Sequence, residues 1–83
     1  MKVWIVMGTT GEYSDRSEWP VCVYADEARA QARAEAATQR AAEIYEARPR
    51  YSAPPEGANE HDPKMQMDYT GTTYFLAESE MRQ

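Results

Sequence analysis

Residues 25–48 read ADEARAQARAEAATQRAAEIYEAR, a run rich in alanine and free of glycine and proline. Alanine has the highest helix propensity, and Asp26 and Glu27 stand where the positive end of a helix dipole favours negative charge. Asp26 is the natural N-cap, and Pro49 stops the helix because the residue before a proline is pushed out of the helical region. At about 100° per residue, Ala30, Ala34, Ala37, Ala41, Ile44 and Tyr45 fall on one stripe, the face expected against a sheet. Most of that stripe is methyl groups, so the helix approaches closely and the bulk must come from the strands. Trp4, Val6, Val23, Tyr74 and Leu76 are the expected partners. Ile44 and Tyr45 assign the larger share of the burial to the C-terminal end of the stripe.

Two strands are expected before this helix. Residues 2–7, KVWIVM, are β-branched and aromatic and apolar on both faces, which marks a central strand ending at Gly8. Residues 8–18 are turn formers and charges, and residues 19–24, WPVCVY, resume strand character, giving a hairpin with a long loop. Pro20 cannot donate to a ladder, so this strand lies at a sheet edge or begins at Pro20. After the helix, residues 49–64 carry Pro, Gly, Asn and Glu and form a long loop, either functional or mobile. Residues 65–69 alternate with period two and residues 72–77 are strand-like. One strand over both is too long, so Gly71 is a bulge or a tight turn. The bulge is favoured, because Thr-Gly is a weaker hairpin signal than Asn-Gly.

The order strand, strand, helix, strand, closed by a right-handed crossover, gives a single α+β domain over residues 1–83. Its sheet is three-stranded and antiparallel in order 2-1-3, with one long helix on one face. The other face then carries Val3, Ile5, Met7, Cys22, Tyr24, Tyr69 and Phe75, more apolar material than a solvated face requires. Three occupants fit it: the 49–68 segment folding back with Tyr51, Met65 and Met67, a second copy of the chain, or a foreign protein.

Composition narrows the classes of function. At 83 residues and 9.5 kDa, with 42% apolar and 28% charged residues, the chain builds one soluble core. Nine Lys and Arg against fourteen Asp and Glu leave a net charge of −5, which repels phosphate backbones. Direct nucleic-acid binding is therefore not expected. The same acidity suits docking on a basic surface, although solubility alone accounts for it. No apolar run approaches the roughly 18 residues of a membrane helix and no basic leader precedes an apolar block, so the chain reads as unprocessed and off the membrane. Cys22 and His61 are the sole residues of their kinds, which removes intrachain disulfides and Cys/His zinc clusters and fits a reducing cytoplasm. Within Val21-Cys22-Val23 the thiol reads as a small core side chain rather than as half of a Cys22/His61 nucleophile pair.

Other constellations have plain readings beside the chemical ones. Gly8-Thr9-Thr10-Gly11 follows a strand, as phosphate loops do, but no lysine follows and no helix starts there to offer its amides. Glu12, Asp15 and Glu18 share a loop without the ligand spacing of an EF-hand, so a solvated acidic loop is the simpler account. The carboxylates sit in polar surroundings, where nothing raises a pKa for acid–base work. Arg29, Arg33 and Arg40 line one flank of the helix, either gripping an acidic partner or laying their stems over apolar surface. Arg48, Arg50 and Tyr51 form a second basic-aromatic group, again a stacking site or a loop anchor. No enzyme, catalytic residue, cofactor or metal is expected.

The stretch Gly8-Thr-Thr-Gly-Glu-Tyr-Ser-Asp-Arg-Ser-Glu-Trp19, the Asp26-Glu27-Ala28 helix start and Met65-Gln-Met-Asp-Tyr-Thr-Gly71 together resemble a group of short proteins of tailed phages and prophages. In that group a first strand leads into a Ser/Thr-Thr-Gly-Glu-Tyr-Ser-Asp motif. The resemblance covers most of the chain except residues 49–63. It implies a setting in the bacterial cytoplasm and no mechanism. Small acidic phage proteins often act by occupying a host protein, and some block CRISPR nucleases. By analogy of size and charge, inhibition of a host nucleic-acid-binding defence complex stands beside the main expectation. That expectation is non-catalytic binding of a host or phage protein, with a homodimeric structural module as the alternative. Glu12, Tyr13, Asp15, Arg16 and Trp19 are the expected contact residues, since Tyr, Trp and Arg dominate interface energetics. The competing assignment has Tyr13 and Trp19 capping the end of the core.

Overall fold

Four elements follow one another: β1 (Lys2–Thr10), β2 (Ser17–Tyr24), α1 (Glu27–Ala47) and β3 (Thr72–Glu80). The computed structural model describes residues 1–12, 14, 16–47, 54, 57–68 and 70–80. The sheet runs β2-β1-β3 and every pairing is antiparallel, the α+β arrangement read from the sequence. Both hairpin strands are longer than their apolar cores. Thr9 and Thr10 pair with Glu18 and Ser17, so the connecting loop shrinks to residues 11–16.

The N-cap of α1 is Asp26, whose Oδ1 accepts the Ala28 amide at 2.9 Å while its carbonyl accepts the Ala30 amide at 3.1 Å. Ala30, Ala34, Ala37 and Ala41 are buried against Val6 and Tyr74, with Trp4 and Leu76 packed around them. The upper end of the stripe differs from expectation. Ile44 is half-buried and Tyr45 remains 40% exposed, its ring edge lying over Gly71. The alanine methyls therefore carry the buried stripe, at about 0.8 kcal/mol each.

β2 does not present the face its alternation suggests. Val6 pairs with Cys22 and Met7 with Pro20, so Val21 is an extra residue on β2 and the register shifts there. Because side chains alternate, one added residue exchanges the faces of everything beyond it. Trp19 and Val21 turn toward the helix at one end, and Cys22 and Tyr24 do so at the other. Val23, expected in the core, is 56% exposed. Cys22 and Tyr24, expected on the opposite face, pack on the core instead.

The stretch before β3 also departs from expectation. Residues 65–68 join no strand, and Gly71 is not a bulge. It has φ 87° and donates its amide to the Asp68 carbonyl at 3.2 Å, closing a turn into β3. Left-handed backbone of this kind favours glycine. Met65 and Met67 pack against the alanine-lined core, so the described part of the 49–68 segment lies on the helix side. Tyr51 and Tyr69 lie outside the described residues. The face away from the helix keeps Val3, Ile5, Met7 and Phe75 by alternation and gains Val23; of these Val3 is buried, Ile5 and Met7 are half-buried, and Val23 and Phe75 are exposed.

Trp19 lies flat over β1 at Gly8. A Cβ on Gly8 would fall 2.5 Å from Trp19 Cε2, inside the ring's van der Waals surface. Gly8→Ala is expected to cost about 1–3 kcal/mol through overpacking, read as a lowered midpoint in denaturant unfolding.

Candidate functional site

Thr10 and Gly11 meet residues 68–71 at one corner of the fold. Thr10 Oγ1 donates to the Gly71 carbonyl at 2.6 Å and accepts the Asp68 amide at 3.0 Å. Gly11, at φ 94°, donates its amide to Thr70 Oγ1 at 3.0 Å. The Asp68 carboxylate accepts the Thr70 amide at 2.7 Å, closing an Asx turn. The Gly8–Trp19 and Met65–Gly71 stretches, separated along the chain, are thus tied together by side-chain to backbone bonds. Gly11 has spent its amide here, so the Gly8–Gly11 loop offers no free cradle at this position.

Beyond this tie, Thr9, Gly11, Glu12 and Arg16 line an open, shallow cleft of about 510 Å³. Arg16 Nε donates to Thr9 Oγ1 at 3.2 Å, and its NH2 group meets Glu18 Oε2 at 2.6 Å. Arg16 and Glu18 are 54% and 41% exposed, so the pair orients the guanidinium more than it stabilises the fold. Glu12 is exposed at the rim. Tyr13 and Asp15 lie outside the described residues. Glu18 is held by Arg16, and among the described residues no three His, Cys, Asp or Glu converge as metal ligands.

Trp19 belongs to the core beneath that loop. It is buried, donates Nε1–H to Asp62 Oδ2 at 2.8 Å, and meets the Tyr74 ring edge-on with centroids 6.4 Å apart. Its position is that of the competing assignment, a cap on the end of the core. Tyr74 donates its hydroxyl to the same Asp62 oxygen, also at 2.8 Å. Burial, and then the hydrogen bond and charge of Asp62, push the Tyr74 hydroxyl far above its ordinary value of 10.0. Nearby, the fully buried Asn59 donates Nδ2–H to the Ala37 carbonyl at 3.1 Å and accepts the His61 amide at 2.9 Å.

Arg33 and Arg40 take neither expected reading, because their head groups are held by other parts of this chain. Arg33 Nε donates to the His61 carbonyl at 2.9 Å, and Arg40 pairs with Glu43 and Glu60 at 3.4 and 3.3 Å. Both thereby hold the 57–68 segment against α1. Arg29 lies 3.9 Å from Asp26. Glu60 is held below the usual carboxylate range, first by its own backbone amide and then by Arg40 and His61. Arg48 and Arg50 lie outside the described residues.

Sequence reasoning did not single out Asn59, Asp62 or Asp68. Their signal was present as Asx residues in the Gly57-Ala-Asn-Glu-His-Asp-Pro63 and Asp68-Tyr-Thr-Gly71 turns. Nothing local separates an Asx residue that faces water from one that faces a core.

No protein-family model, curated protein or solved structure matches the chain. No helix among the described residues is long and apolar enough to cross a membrane.

Asp62→Ala strands two buried donors, Trp19 Nε1 and the Tyr74 hydroxyl, and is expected to cost about 2–4 kcal/mol in denaturant unfolding. A second expectation concerns alkali. The folded chain keeps the Tyr74 proton where the unfolded chain releases it, so stability is full below pH 10 and falls as pH rises past it. Tyr74→Phe should flatten that fall, measured as unfolding midpoints between about pH 8 and pH 11.

Proposed function

We propose that this chain acts without catalysis, by binding a protein partner through the β1–β2 loop and the sheet face opposite α1. The observation that carries this reading is the destination of the 57–68 segment. Held by Asn59, Asp62 and Arg33, it joins the helix side, and on the opposite face Val23 and Phe75 stay exposed while Ile5 and Met7 are half-buried and Val3 is buried. Val23 and Phe75 are 56% and 36% exposed, two of the four large apolar side chains that stand exposed among the described residues. An exposed apolar patch with a polar rim is the usual anatomy of a protein interface.

In this reading Glu12 and Arg16 form the rim and Trp19 braces the loop from below, with Tyr13 and Asp15, which lie outside the described residues, kept as expected contacts. Following the resemblance of the motif, the setting we propose is a tailed phage or prophage acting in the cytoplasm of its bacterial host. The partner is a host or phage protein, and a basic protein surface suits the charge of −5. The blocking of a nucleic-acid-binding defence complex falls within this proposal as one such partner.

The test pairs light scattering with capture from a bacterial lysate. Expected are a concentration-independent mass near 9.5 kDa and a captured protein that is lost with Val23→Lys/Phe75→Lys and weakened by Tyr13→Ala/Arg16→Ala. The melting temperature of each variant should move by less than about 4 °C. Capture of the same proteins by wild type and both variants would sink the assignment of the surface, and a doubled mass would replace the foreign partner with a second copy.

A further inference from the structure

A three-stranded sheet has two edges, and this chain guards them unequally. At the β2 edge, Pro20 sits opposite Met7 at a position where an amide would point outward, and it has none to offer. The extra residue at Val21 twists the same edge. Both devices deter strand pairing. The β3 edge has neither.

The direction of the β3 backbone follows from one bond. Tyr74 donates its amide to Thr38 Oγ1 at 3.1 Å, away from β1, so its pairing with Gly8 is of the non-hydrogen-bonded kind. By alternation, Leu76, Glu78 and Glu80 also turn their N–H and C=O groups outward. The helix packs on the Leu76 side chain but leaves Glu78 and Glu80 exposed. It crosses diagonally, from Arg33 beside the Tyr24 hydroxyl at the end of β2 to Thr38 and Tyr45 over Tyr74 and Gly71. The uncovered corner is the C-terminal half of β3, where these outward groups meet no partner among the described residues.

Side chains give that corner a chemical sign. Glu78 and Glu80 stand on one side of the strand, Phe75 and Ala77 on the other. Glu78 lies 3.6 Å from Lys2 Nζ and Glu80 lies 3.0 Å from the terminal ammonium, but all four groups are more than half exposed. Such pairs are weak and leave both carboxylates open to a competing cation.

We propose that the edge from Leu76 to Glu80 is a strand-docking site for an extended segment of a partner protein, in which Lys or Arg alternates with apolar residues. Main-chain bonds to Leu76, Glu78 and Glu80 supply the affinity. The basic side chains face Glu78 and Glu80, and the apolar ones extend the row of Phe75 and Ala77. A second copy of the chain fits this edge poorly. Antiparallel pairing that uses all three open residues sets Glu78 opposite its own counterpart, between chains that each carry −5. The edge is separate from the β1–β2 loop but shares the Phe75 row with the sheet face, so shifts centred on Leu76, Glu78 and Glu80 rather than on Val23 or residues 9–19 distinguish the two proposals.

The test is titration of the 15N-labelled chain with a synthetic peptide alternating lysine and valine, read by amide shifts. Saturable shifts centred on Leu76, Glu78 and Glu80 are expected, with roughly tenfold weaker binding when glutamate replaces the lysines. Glu78→Pro plugs the edge without touching the bonds to β1 and should abolish the shifts. Should that variant not fold, Glu78→Lys/Glu80→Lys keeps the backbone and should reverse the preference between the two peptides. Absence of binding at millimolar peptide would overturn the proposal. So would shifts centred on residues 9–19, equal binding of both peptides, or a concentration-dependent dimer built on β3.

Discussion

Asp62 Oδ2 accepts two hydrogen bonds from buried donors, one on β2 and one on β3, and this shared acceptor is the constraint around which the rest is arranged. Trp19 and Tyr74 flank the central strand at Gly8, where no side chain separates them, and their rings meet edge-on across the gap. Each ring brings a polar hydrogen into a region closed to water, and an unpaired donor there costs about 1–3 kcal/mol. One carboxylate from a segment far along the chain satisfies both. The 57–68 segment is therefore a structural layer, although it contains no regular element.

The helix makes that layer necessary. Four alanine methyls contribute only about 3 kcal/mol of burial, which does not close a core on their own. The small side chains bring α1 close to β1 and β3 and leave room on the β2 side. Met65 and Met67 pack against the alanine-lined core, while Asn59 caps a helix carbonyl from within and Arg33 and Arg40 hold the segment from outside. Unbranched methionines suit an irregular gap of this kind. By filling one side of the sheet, the segment leaves the other to Ile5, Met7, Val23 and Phe75, and so the economy of the core determines which surface is offered outward.

The exposed surfaces divide by chemistry. The sheet face is nearly free of charge. The loop cleft carries Glu12 and an Arg16 already oriented by Thr9 and Glu18. The β3 edge carries Glu78 and Glu80 beside unspent main-chain groups. With a net charge of −5, long-range attraction favours a basic partner for each, while the apolar face contributes area rather than direction.

Local pattern alone was enough for the elements and their order. The alanine run with Asp26 before it, the β-branched 2–7 stretch and the 72–77 stretch each favour one backbone conformation through contacts within a few residues. Short connections and crossover handedness then leave the 2-1-3 sheet. The β2 faces were not legible, because an extra residue at Val21 is specified by how Trp19 must lie on Gly8 and not by the alternation of residues 19–24. The site was legible only as a motif: its turn formers mark a loop, but the bonds of Thr10 and Gly11 to residues 68–71 join parts of the chain that share no local signal. Only tertiary packing decided that Trp19 lies inside, that residues 65–68 leave the sheet, and that Asp62 faces the core. Each of those outcomes depends on whether a buried polar group finds its partner across the fold, and that is a property of three-dimensional closure.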